Sequence, residues 1–149
     1  PLLCGFVGGM DDLQAWDKAD LFTFIYDTIP LHGDISIFKP MITADDVKKF
    51  IRSTAGNVYH LALHNYLHSK SSEMIEGLYK MARFAVQGKV FLALNEFIAK
   101  LNDLPAYTNG QDKMVIERFI ALKNAASAQL ETDTEALVSW AKETLQSMK

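Results

Sequence analysis

Residues 43–68 read TADDVKKFIRSTAGNVYHLALHNYLH, and their spacing decides the fold class. Val47, Phe50, Ile51, Thr54 and Val58 recur at intervals of three and four, which lines one face of a helix and leaves Lys48, Lys49 and Arg52 on another. Thr43 ahead of Ala44-Asp45-Asp46 is a start signal: its hydroxyl serves as a cap, and the acids meet the positive end of the helix dipole. Gly56-Asn57 predicts a kink, or a stop and restart, after which the apolar set becomes Tyr59, Ala62, Leu63 and Tyr66.

The same periodicity extends along the chain in both directions. Towards the N-terminus it predicts a helix from about Asp11 to Thr28, burying Leu13, Trp16, Leu21 and Phe24, then an irregular crossing from Leu31 to Lys39 closed by Pro40. Towards the C-terminus, Ser71-Ser72-Glu73 opens a helix carrying Ile75, Leu78, Ala82 and Ala85, which Gly88 is expected to end or bend. A further helix is predicted from Lys89 to about Asp103, followed by a loop over Leu104 to Gly110. Val115, Phe119, Leu122 and Ala126 mark the next helix, with Ala121, Ala125 and Ala128 as a small-residue face. Thr132-Asp133-Thr134-Glu135 has capping-box spacing and is expected to open the last helix, with Leu137, Trp140, Ala141, Leu145 and Met148 as its stripe.

The two-residue alternation of a strand is confined to Ile35-Ser36-Ile37-Phe38. The expected fold is therefore all-α, a single domain over residues 1–149 with five to seven bundled helices and an apolar, Gly-containing N-terminal arm at 1–10. A length of 149 residues with 49% apolar side chains supports one core and excludes a disordered tail. One Cys excludes an intrachain disulfide framework and a Cys-based zinc site, and a lone thiol favours a reducing, cytoplasmic setting. No run of 18 apolar residues is present to cross a bilayer, and the N-terminus lacks the basic start and cleavage site of a signal peptide.

The net charge of −3 conceals an asymmetry. Residues 1–34 hold six Asp and one Lys, whereas residues 48–89 carry seven Lys or Arg against Glu73 and Glu76. These surfaces are complementary, within one molecule or between two. An acidic total, with a pI near 5.8, argues against nucleic acid as partner.

His60, His64 and His68 stand four apart, drifting about 40° per step on a helix. Three readings attach to the row. It is the solvated polar side of a helix; or, continuing Lys48 and Arg52, it is a basic ridge that gains charge below about pH 6.5 and associates in an acid-sensitive way. Alternatively His60 with His64, or His64 with His68, ligates a metal ion or haem, with His32 or Asp34 supplying a third group. No HExxH pair, Gly-x-Ser-x-Gly elbow, phosphate loop or dinucleotide glycine pattern accompanies them, and no catalytic residue or cofactor is assigned.

The leading expectation is thus a non-enzymatic helical binding or self-association module that uses Lys48, Arg52, His60, His64 and His68. The alternatives are a carrier of an apolar small molecule, whose cavity the surplus Phe and six Met would line, and a His-based metal or haem protein centred on His60 and His64.

Overall fold

The computed structural model describes residues 9–30 and 32–148. Helices account for the regular structure: α1 (Met10–Ala15), α2 (Lys18–Tyr26), α3 (Ala44–His64), α4 (Ser72–Leu94), α5 (Gly110–Lys123) and α6 (Leu130–Ser147). Two 3₁₀ segments, Ser36–Met41 and Leu101–Tyr107, and a π turn, Asn65–Ser69, complete the chain, and no strand occurs among the described residues. The all-α class stands. The expected N-terminal arm lies outside the described residues except for Gly9 and Met10, the latter already in α1.

Thr43 caps α3 as its position predicts. Its hydroxyl accepts the Asp46 N–H at 3.2 Å while the Asp46 carboxylate accepts the Thr43 N–H at 2.8 Å. The expected break at Gly56-Asn57 does not occur. Val47, Ile51, Ala55, Val58 and Ala62 form one unbroken buried stripe, because α3 packs on α2, α4 and α6 and that burial outweighs the propensity cost of one glycine, about 1 kcal/mol.

Four other boundaries differ from the sequence expectation, each for a local reason. The first helix is two, because Asp17 caps a new start by accepting the Ala19 N–H at 2.9 Å. The helix from Ser72 runs through Gly88 to Leu94 and stops at Asn95, which adopts a left-handed conformation (φ 55°). No helix spans 89–103: residues 97–100 cross back over α4, where the Gln87 amide donates to the Ile98 carbonyl at 2.7 Å and Arg83 to that of Ala99 at 3.0 Å. The alanine face also dissolves, since α5 ends at Lys123 and Ala125 is left-handed (φ 70°).

The larger core joins the inner faces of α3, α4, α5 and α6 with Phe22 of α2. Phe22 is surrounded by the rings of Tyr26, Phe50, Phe91 and Phe97 at 5.1–5.8 Å. A smaller cluster of Leu13, Leu21, Ile25 and Phe38 lies on the other side of α2, so that this short helix is buried along two faces.

At Gly88 the α4 backbone lies close against the side chain of Ile51 on α3. A Cβ there would stand 2.9 Å from Cγ1 of Ile51 and 3.6 Å from Phe22, whereas a Cβ on Gly77 of the same helix meets open space. Gly88→Ala is therefore expected to lower unfolding free energy by about 1–3 kcal/mol through overpacking. Gly77→Ala is expected to raise it by up to about 1 kcal/mol. Urea denaturation of the two variants checks both signs.

Candidate functional site

The charged halves of the chain meet each other within the molecule. Lys49 of α3 pairs with Asp17, and Arg83 of α4 pairs with Asp27 at 3.4 Å. Lys48 bonds to Asp45 one turn earlier at 3.1 Å, and Arg52 remains exposed. With Ser53, Leu145 of α6 and Met148 at its C-terminal cap, these residues border a depression open to solvent.

His60 and His64 lie exposed on the outer side of α3, and His68 on the π turn that follows. The ring centroids of His60 and His64 are 6.3 Å apart, and those of His64 and His68 are 4.8 Å apart. Among the described residues no three His, Cys, Asp or Glu side chains converge as a closed metal site requires, so neither His32 nor Asp34 completes the row.

An apolar-walled concavity lies elsewhere, between α5 and α6 and beside Tyr79 of α4. It is a groove of about 340 Å³ whose walls are Met114 and Val115 from α5 and Ala136 and Trp140 from α6. Met114, one of the methionines expected to line a cavity, stands exposed at its mouth. Gln111 donates to Ser139 at 3.2 Å, and this bond ties α5 to α6 along one side of the groove.

The polar end of the groove is organised by Asp133, which is buried. Its Oδ1 accepts Arg118 Nε at 2.7 Å and the Tyr79 hydroxyl at 3.0 Å; its Oδ2 accepts Arg118 Nη2 at 2.8 Å and the Gln129 N–H at 2.7 Å. The forked guanidinium grip and the two further donors fill the carboxylate's lone pairs. Arg118 also donates to the Ser127 carbonyl at 2.9 Å, which fixes the α5–α6 connection. The proposed capping box is thereby corrected: α6 begins at Leu130 behind Gln129, and Asp133 turns inward to hold its own helix start.

Burial by itself pushes the Asp133 carboxyl up. Hydrogen bonds from Arg118, the Gln129 N–H and Tyr79, with the guanidinium charge behind them, outweigh it and hold the pKa below the ordinary carboxylate value. The Tyr79 phenol is pushed well above its usual range by burial and by the Asp133 charge.

A second carboxylate closes the other end of the same interface. Oδ1 of Asp112 accepts Lys89 Nζ and Trp140 Nε1, both at 2.7 Å, and Lys89 also donates to Thr144 at 2.9 Å. Trp140 thus stands as a fixed wall of the groove.

Arg118 and Asp133 are the only charged residues lining the groove among the described residues, and each is bonded to the other. The site therefore presents apolar surface and neutralised polar groups, and no free charge. Compared with known protein families, curated proteins and solved structures, the chain matches none.

Asp133→Asn is expected to lower stability by about 2–4 kcal/mol, the partial exposure of Arg118 softening the cost of a broken buried pair. The folded pKa lies below the unfolded value of about 3.9, so this contribution is complete above about pH 4 and is lost as pH falls through the folded value. Chemical denaturation from pH 7 to pH 3 is expected to show that acid-dependent loss in the native chain and a smaller one in Asp133→Asn.

Proposed function

We propose that this chain is a non-enzymatic helical binding module whose α5–α6 groove takes a small, neutral, largely apolar ligand. The observation that carries the reading is the groove itself. A volume of about 340 Å³ is within the range of small-molecule sites, its walls are apolar and aromatic, and its two charges are mutually paired. A ligand bearing a net charge would find no free counter-ion there, and desolvating it would cost several kcal/mol, on the order of the whole binding energy of a small ligand.

Trp140 is a built-in reporter once Trp16, the other of the chain's two Trp, is replaced by Phe. In the Trp16→Phe background, a neutral apolar dye such as Nile red is expected to bind saturably and change Trp140 emission. Ala136→Phe, which fills the groove from α6, is expected to weaken binding by about tenfold or more while leaving the far-ultraviolet circular dichroism unchanged. Absence of saturable binding, or equal binding by Ala136→Phe, contradicts the reading.

A second reading is self-association through the ridge of Lys48, Arg52, His60, His64 and His68. It is favoured by the exposure of all five along α3 and its following turn, and of Asp11 and Asp20 on α1 and α2 as complementary charges. Sedimentation equilibrium is expected to show dimers that Lys48→Glu with Arg52→Glu disperses. A chain that stays monomeric at every accessible concentration removes this reading.

A further inference from the structure

We propose that His64 and His68 form a solvent-open, two-imidazole chelate for a borderline divalent transition ion, with Zn²⁺ as the reference case. The site is separate from the groove and rests on the geometry of the turn that ends α3.

His64 is the last residue of α3, and the chain continues into the π turn Asn65–Ser69. Asn65 pins that turn from inside. It is fully buried; its backbone carbonyl accepts the Lys70 N–H at 2.7 Å, its side-chain amide donates to the Ser71 carbonyl at 3.0 Å, and its side-chain oxygen accepts the Ser71 N–H at 2.9 Å. Lys70 then reverses the chain in a left-handed conformation (φ 50°). The backbone that carries His68 is thereby fixed relative to the helix that carries His64.

Distance separates the two neighbouring pairs. An ion about 2.0–2.1 Å from each nitrogen, with ring centres roughly 1.1 Å behind the nitrogens and an angle of about 90–110° at the metal, sets the centroids about 4.5–5.2 Å apart. His64 and His68, at 4.8 Å, fall inside that interval, and His60 and His64, at 6.3 Å, fall outside it. The pair that the π turn assembles is therefore one turn beyond the pair on the regular helix.

Two protein nitrogens, both exposed, leave the remaining positions to water, so the ion exchanges readily and is not a folding element. Imidazole ligation sets the order of affinity, with Cu²⁺ above Zn²⁺ and hard Mg²⁺ or Ca²⁺ excluded.

Calorimetric titration of the full chain with Zn²⁺, repeated on His60→Ala, His64→Ala and His68→Ala, tests the assignment. The expected result is that His64→Ala and His68→Ala each weaken the site by about tenfold or more and His60→Ala by less than about threefold, with Zn²⁺ shifting the imidazole ¹⁵N resonances of His64 and His68 and not those of His60 or His32. All three positions are exposed, and circular dichroism verifies that each variant keeps its helices. Absence of Zn²⁺ binding, unchanged affinity in His68→Ala, or a loss in His60→Ala equal to that in His68→Ala overturns the proposal.

Discussion

A carboxylate buried in the first turn of a helix is tolerated only when its charge is matched and its lone pairs are filled, and Asp133 meets both conditions with donors from three directions. Tyr79 reaches it from α4, Arg118 from α5, and the Gln129 N–H from the start of α6 itself. The carboxylate consequently sets where α6 begins, how α5 lies against it, and which side chains flank the space between them. Leaving any one donor unpaired would cost more than a surface pair could return. Asp112 repeats the device with Lys89 and Trp140, so that the α4–α5–α6 interface is tied by a charged bond at each end and apolar in between.

That arrangement explains the chemical character of the groove. The cations that face inward on this side of α4 and α5 are engaged by carboxylates of the same chain, as are Lys49 and Arg83 by Asp17 and Asp27, the N- and C-terminal caps of α2. Charge complementarity between the acidic N-terminal third and the basic middle is used in part to assemble the molecule. What it leaves between α5 and α6 is a recess whose remaining affinity is hydrophobic, with Met114 as an adaptable edge and Trp140 as a rigid wall.

The helical class, the first half of α3 and the core of α6 were legible because burial there follows a strict period, and Thr43 and Ser71 announced their helices by cap chemistry that depends on a few adjacent residues. Past Gly56 the expected shift to Tyr59, Leu63 and Tyr66 does not occur, since the stripe keeps its register through Val58 and Ala62 and Tyr66 is exposed. The boundaries that escaped depend on partners distant in sequence. Gly88 reads as a helix breaker until the tight approach of Ile51 is known, and Phe97 and Ile98 fit a helical stripe equally well when they fold back over α4. Asp133 was hidden by a better local explanation, since Thr-x-x-Glu spacing accounts for an acidic helix start without a buried role. Arg118, 15 residues earlier, carries no local mark of its pairing. Met114 and Trp140 were visible as apolar residues, but whether such residues fill a core or line a space is a property of the packed helices alone.

The account turns on the space between α5 and α6 accepting a neutral apolar molecule. The most direct measurement is a methyl-resolved NMR titration of the native chain with a small uncharged aromatic probe. Saturable shifts concentrated on the methyls of Met114, Val115 and Ala136 are the predicted outcome. Shifts centred on another surface, or none at probe saturation in water, would contradict it.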